Sequence, residues 1–231
     1  MQITQGKSKL SSLMLADPPG LYLITPDGWS AGRLHSVLKP LLRVGIAMLQ
    51  YRDKTATANE RLHKAHMLAS LCRQYQTPLI INDDVRLARM VRAAGVHLGR
   101  DDHDPRLARE QLGKDAIIGC SCYNDLALAA RLQSKGADYL AFGSMFSSPT
   151  KPAAAHCSLQ VIRQACSLGL PLVAIGGIKP DNAAKVLQAG AELLAVISDV
   201  FDAANPTQRI HAYQRLFASA RTNRLHASNQ H

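Results

Sequence analysis

A chain of 231 residues that is 47% hydrophobic and 19% charged can bury one sizeable core, which excludes disorder, collagen-like repeats and coiled coil as global descriptions. No run approaches about 18 consecutive apolar residues, and the amino terminus offers only Leu13 to Ala16 after Lys7 and Lys9, too little for a signal-peptide core; a cytoplasmic protein with no membrane partner is expected. The formal net charge of +10 is scattered over helical segments and over the stretch from Ala203 to His231, without a compact basic helix or an aromatic stacking platform, so nucleic acid is not expected as a partner.

Residues 1–18 read as a flexible amino-terminal segment, residues 19–220 as one catalytic domain, and residues 221–231 as a flexible basic tail. Within the domain, apolar β-rich runs recur at Leu21 to Thr25, Ala47 to Tyr51, Pro78 to Ile81, Gly95 to Leu98, Ala116 to Gly119, Tyr139 to Phe142, Leu172 to Ile175 and Leu193 to Ile197. Helical spacing separates them. Ala58 to Tyr75 sets Leu62, Ala65, Leu68, Ala69 and Leu71 on one broad face, and Asn124 to Ser134 does the same with Leu126, Leu128, Ala129 and Leu132. A last helix is expected from Thr207 to Ala218. Short strands that are apolar throughout are buried on both faces, as in a parallel sheet covered by helices. Eight such units count out a closed α/β fold, the (β/α)8 TIM barrel, with an open doubly wound sheet as the structural alternative.

In such barrels the chemistry lies at the carboxyl ends of the strands. Alternation along the second strand puts Gln50 and Arg52 on one face and Tyr51 on the other, and Lys54 follows: a cationic mouth suited to phosphate oxygens, or a structural ion-pair cluster. The third strand runs into Asn82 and Asp83, with Asp84 placed to cap the next helix. The fourth carries His97, a core or supporting histidine, and leads to Asp101 and Asp102. Asp83 and Asp102 at neighbouring strand ends suit a hard octahedral cation that takes one or two protein carboxylates and completes its shell with phosphate oxygens and water. The loop after the sixth strand holds Ser148, Thr150 and Lys151, hydroxyls and a cation able to close over a charged substrate. Gly176 and Gly177 after the seventh strand, and Ile197 and Ser198 after the eighth, lie where barrels commonly bind phosphate through backbone N–H groups. Five cysteines, Cys72, Cys120, Cys122, Cys157 and Cys166, form no C-x-x-C pair and fit reduced thiols.

Taken in order, Gln50-Tyr51-Arg52-Asp53-Lys54, Ile81-Asn82-Asp83, Gly95-Val96-His97-Leu98-Gly99, Ile117-Ile118-Gly119-Cys120-Ser121, Ser148-Pro149-Thr150-Lys151, Ala174-Ile175-Gly176-Gly177-Ile178 and Val196-Ile197-Ser198 resemble the thiamine-phosphate synthase family (thiamin phosphate pyrophosphorylase) over nearly all of Leu21 to Ser198. The resemblance implies a Mg2+-dependent transferase that joins 4-amino-5-hydroxymethyl-2-methylpyrimidine diphosphate to 4-methyl-5-(β-hydroxyethyl)thiazole phosphate and releases diphosphate. It further implies Mg2+ on Asp83 and Asp102, diphosphate on Arg52, Lys54, Asn82 and Lys151, and the pyrimidine against Gln50 and Ser121. The thiazole phosphate falls on backbone groups of Gly177, Ile197 and Ser198, with hydroxyls from Ser148 and Thr150. Arg52, Lys54, Ser121 and Lys151 carry the catalytic roles. The sequence leaves the oligomeric state open, a homo-oligomer included.

Departures from the family pattern are Tyr51 in place of a small aliphatic residue, Ser148 in place of Thr, and Cys122-Tyr123 where a histidine is frequent. The stretch Asp101-Asp102-His103-Asp104-Pro105 is one residue longer than usual, which leaves Asp101 and Asp104 as alternative metal carboxylates. A thiazole tautomerase of the same superfamily would need a general base where this chain has Tyr123, and a phenol is a poor base at neutral pH. A barrel that merely binds a phosphorylated ligand would not need both carboxylates and the full set of cations.

Overall fold

The computed structural model describes residues 20–100, 102, 104–147 and 156–228, with side chains described through residue 222. Eight strands, β1 (Leu21–Ile24), β2 (Met48–Tyr51), β3 (Leu79–Asn82), β4 (Gly95–Leu98), β5 (Ile117–Tyr123), β6 (Tyr139–Phe142), β7 (Leu172–Ile175) and β8 (Leu193–Val196), form a closed parallel barrel in sequence order. Pairing of Leu21, Tyr22 and Leu23 with Leu194, Ala195 and Val196 closes it. The open-sheet alternative is thereby excluded.

The helices are α1 (Ala31–Val44), α2 (Ala58–Gln74), α3 (Val85–Val91), α4 (Pro105–Leu112), α5 (Leu126–Ser134), α6 (Leu159–Ala165), α7 (Pro180–Gln188), the short α8 (Ser198–Phe201) and α9 (Pro206–Ser228). Local sequence sets their starts. Thr57 and Glu60 form a capping box on α2, and Asp84, Asp104 and Asp125 accept from the first-turn N–H groups of α3, α4 and α5. The last helix runs past its expected end at Ala218 because no Gly or Pro follows to stop it; Ser219 and Thr222 turn their hydroxyls back onto the carbonyls of Arg215 and Ala218. Among the described residues no helix is long and apolar enough to cross a membrane.

Period-two alternation divides the core in two. Outward-facing residues such as Leu23, Leu49, Tyr51, Ile81, Leu98 and Leu194 pack against the helices, while Tyr22, Ile24, Met48, Ile80, Ile117, Tyr139, Val173 and Leu193 fill the barrel. Two glycines make that filling possible. A Cβ on Gly95 would stand 1.8 Å from the Ile117 carbonyl oxygen, and one on Gly119 would stand 1.8 Å from Tyr139 Cζ. Gly119→Ala is therefore expected to destabilise the barrel by about 3 kcal/mol or more, since the clash is with a ring buried on all sides. Denaturant unfolding reads this, and a loss below about 1 kcal/mol would show that the ring can move aside.

At the other end of the chain, α9 seals the outer layer between α1 and α7 with Ile210, Tyr213 and Phe217. The Tyr213 hydroxyl donates to Asp199 Oδ2 at 2.7 Å, tying α9 to the turn that follows β8.

Candidate active site

The carboxyl ends of β1 to β4 gather the charge. Arg52 Nη1 lies 2.5 Å from Asp27 Oδ2, while Asp27 Oδ1 accepts from the backbone N–H of Lys54 at 2.8 Å. Lys54 Nζ then reaches Asp83 Oδ2 at 2.5 Å. The order Arg52, Asp27, Lys54, Asp83 is thus one alternating row of charges along the rim, partly exposed throughout. Asp83 has φ of 64°, a left-handed conformation in which Asp is tolerated better than most residues, and its N–H donates to the His97 carbonyl.

Asp83 and Asp102 share a hydrogen bond. Burial works against ionising Asp83, but Lys54 and the bond from Asp102 outweigh it and hold Asp83 below the usual carboxylate range. Partial desolvation and the neighbouring Asp83 carboxylate push Asp102 above the usual carboxylate range. Asp102 Oδ2 also accepts from Gly99 N–H at 2.6 Å. Asp104 is committed elsewhere: it caps α4, pairs with Arg106 and receives Lys135 Nζ at 2.6 Å. Of the alternatives that the extra residue left open, Asp102 is the acid beside Asp83, Asp104 is a helix cap, and Asp101 lies outside the described residues.

A buried anchor beneath this rim has no counterpart in the sequence reading. Asp53 Oδ1 accepts from the N–H groups of Gly28, Thr55 and Ala56 and from the Thr55 hydroxyl, while its Oδ2 holds Lys64 Nζ of α2 at 2.7 Å. Burial opposes its charge, yet Lys64 and those donors win and bring its pKa down from 3.8 to about 2. Asp27 and Asp53 escaped notice because their partners lie up to 27 residues away in sequence. The only available signal was a pair of acids set among the cations they position.

Inside the mouth, Gln50 and Ser121 project from β2 and β5 on the barrel-facing register, as alternation requires. Gln50 Nε2 donates to Tyr22 OH at 2.8 Å, and Ser121 Oγ lies 2.9 Å from His97 Nε2. His97 is a buried, hydrogen-bonded histidine, and burial pushes its pKa down to about 4 against the opposing pull of Asp83. Tyr51 points outward into the layer under the helices. There it lines a cavity of about 320 Å³ together with Arg61, Asn82 and Asp83.

On the far side, Gly177, Ile197 and Ser198 stand at the adjoining ends of β7 and β8. Gly176 and Gly177 have φ of 103° and 60°, and a Cβ on Gly177 would meet the Ser147 carbonyl oxygen at 2.5 Å. These glycines let the loop after β6 lie directly on the turn after β7, with Phe146 N–H donating to the Gly176 carbonyl. Tyr123, at φ 58°, extends β5 beyond its expected end at Gly119; its hydroxyl accepts from Arg100 N–H and its ring lies beneath the Arg100 guanidinium. Ser148, Thr150 and Lys151 lie outside the described residues.

Residues 21–200 match the family model described as thiamine monophosphate synthase. The chain belongs to the thiamine-phosphate synthase family. It is 52% identical over 200 residues to the thiamine-phosphate synthase of Azoarcus sp. (strain BH72), covering 86% of this chain and 97% of that one. It is 50% identical over 202 residues to the thiamine-phosphate synthase of Methylobacillus flagellatus, covering 87% and 97%. Among solved structures it resembles a thiamine phosphate pyrophosphorylase from Pyrococcus furiosus, with a TM-score of 0.76 and 33% identity over 89% of this chain and 98% of that one. The matched span, residues 21–200, contains both the rim of charges and the β7–β8 glycines.

Proposed function

We propose that this chain is a thiamine-phosphate synthase: it transfers the hydroxymethylpyrimidine group from its diphosphate to the thiazole nitrogen of 4-methyl-5-(β-hydroxyethyl)thiazole phosphate, forming thiamine phosphate and releasing diphosphate. The observation that carries this reading is the Asp83–Asp102 pair set beside Lys54 and Arg52 at one end of a family-typical barrel. Two carboxylates within hydrogen-bonding reach of each other are a donor set that a hard divalent cation fits. Mg2+ commonly takes only one or two protein carboxylates and keeps water and substrate oxygens for the rest of its shell. Bound to Asp83 and Asp102, Mg2+ would neutralise charge on the departing diphosphate.

The chain's own residues do the remainder. Lys54, paired with Asp83, would be free to face phosphate oxygens were Asp83 to hold a cation, and Arg52, held by Asp27, presents its fork beside it. Asn82 and Lys151 complete the diphosphate contacts in this reading. Because charge on the leaving diphosphate grows as its bond to the pyrimidine methylene breaks, fixed cations stabilise the transition state more than the bound substrate. Gln50 and Ser121 hold the pyrimidine ring. Backbone N–H groups at Gly177, Ile197 and Ser198, with the hydroxyls of Ser148 and Thr150, hold the thiazole phosphate so that its nitrogen faces the methylene. No protein nucleophile is needed.

The test is a turnover assay with both substrates and a Mg2+ titration. Stoichiometric thiamine phosphate and diphosphate, formed only with the divalent cation, supports the assignment; a thiazole that is isomerised without condensation would move it to the tautomerase reading.

A further inference from the structure

β4 ends at Leu98 and α4 begins at Pro105, and the loop between them carries Asp102 opposite Asp83. Asp104, at the far end of that loop, is tied down by α4 and Lys135. The near end opens with Gly99, which has the most backbone freedom to lose, so contacts of its own have to place it.

One side chain of the neighbouring strand supplies such a contact. Past Ser121 the pairing of β5 with β6 shifts register, Tyr123 takes Phe142 as its partner, and its φ is 58°. That conformation is strained for a bulky residue, and backbone bonds hold it in place. The Tyr123 carbonyl accepts from Gly143 N–H at 2.9 Å, and the Cys122 carbonyl accepts from Asp125 N–H at 2.9 Å. Irregularities of this kind re-aim a side chain beside a site. Here the Tyr123 ring joins neither core cluster and turns instead to the loop after β4.

The Tyr123 hydroxyl accepts from Arg100 N–H at 3.3 Å, and the Arg100 Cζ lies 4.7 Å from the centre of the ring. Asp102 Oδ2 accepts from the preceding N–H, that of Gly99, at 2.6 Å. A Cβ on Gly99 would stand 2.9 Å from Asp102 Oδ2 and 3.8 Å from the Tyr123 hydroxyl, so carboxylate and phenol converge on the same short stretch. Two consecutive N–H groups thus go to Asp102 and to Tyr123, and fixing one orients the other. The ring also seats a cation. Arg100 stands two residues before Asp102, and a guanidinium that swung onto Asp102 or Asp83 would compete with a metal ion for them; over the ring it has an uncharged partner instead.

We propose that Tyr123 is a positioning residue for the cation site: from β5 it holds Gly99 and Arg100 so that the Asp102 carboxylate faces Asp83, and it keeps the Arg100 guanidinium off both acids. This role rests on the reading above that Asp83 and Asp102 carry the divalent cation, and Tyr123 itself touches no reacting atom.

Two measurements test it, the first without metal. Hydrogen exchange of the Gly99 amide in the substrate-free chain should quicken about fivefold in Tyr123→Phe, which loses only the hydroxyl, and further in Tyr123→Leu, which loses the ring as well. With inorganic diphosphate present, Mn2+ binding, followed by the spin resonance of the free ion, should weaken about fivefold in Tyr123→Phe and at least about tenfold in Tyr123→Leu. Turnover at saturating Mg2+ should stay within about twofold of the unaltered chain, since only the hold on the metal carboxylate is lost. Unchanged Gly99 exchange, or Mn2+ affinity that is equal in all three chains, would overturn the proposal. So would a fall in turnover that saturating Mg2+ does not restore, which would make Tyr123 a substrate contact. If the unaltered chain binds no Mn2+ while Tyr123→Phe still frees the Gly99 amide, the cation reading fails and the hold of Tyr123 on the Asp102 loop stands.

Discussion

Asp102→Ala is expected to lower turnover about 10²–10³-fold, the scale on which removing one transition-state stabilising group acts, while the barrel stays folded. Asp102 lies on the solvent-facing loop after β4, only partly desolvated, and belongs to neither core cluster, so the loss should appear mainly in activity and little in unfolding. Asp104→Ala is the matched comparison. That residue caps α4 and holds Lys135, so its loss should cost about 1 kcal/mol of stability and leave turnover near that of the unaltered chain. Steady-state rates at saturating Mg2+ and both substrates, with urea unfolding of each variant, separate the two. Full activity in Asp102→Ala together with inactivity in Asp104→Ala would reverse the assignment of the metal carboxylate.

Asp53→Asn should destabilise the fold by about 3–5 kcal/mol, because it strands the Lys64 ammonium, whose side chain is only 9% exposed, without a counter-charge. The acid limb gives an independent reading. The folded state holds the Asp53 carboxyl at about 2, below its ordinary 3.8, so its stabilisation is complete above the ordinary value and is lost as pH falls toward 2. Stability of the unaltered chain should therefore fall through that window, and the Asn variant should lack that part of the fall. A double variant, Asp53→Asn with Lys64→Met, should recover much of the loss by removing the stranded charge. A cost below about 1 kcal/mol for the single variant would mean that Lys64 escapes to water and that Asp53 is no anchor for the loop carrying Arg52 and Lys54.

The barrel could be read from the chain because its strands are short, apolar throughout and regularly spaced; observed and expected strands agree within a residue or two except at β5. There a register shift between Ser121 and Tyr123 carries the strand past Gly119, a feature that side-chain pattern does not encode. Alternation along the second strand announced Gln50 at the mouth, whereas Ser121 lies beyond the expected end of the fifth strand and was legible only through the family resemblance. What could not be read is who pairs with whom. Tyr22 and Tyr139 look like ordinary apolar strand residues until closure of the barrel brings them, 117 positions apart, to 2.9 Å. Asp53 and Asp27 are likewise unremarkable until the loops above β1 and β2 come together. Local propensity carries no information about such contacts, and only closure of the sheet creates them.

Binding of inorganic diphosphate, followed by titration calorimetry with and without Mg2+, addresses the proposed leaving-group site without requiring turnover. If Asp83, Asp102, Lys54 and Arg52 form a joint site for cation and diphosphate, Mg2+ should tighten diphosphate binding at least about tenfold, and by linkage diphosphate should tighten Mg2+ equally. Asp83→Asn should abolish that coupling while the cations still bind diphosphate weakly. Diphosphate affinity that is the same with and without Mg2+, or coupling that survives intact in Asp83→Asn, would contradict a metal-assisted departure of diphosphate at this end of the barrel.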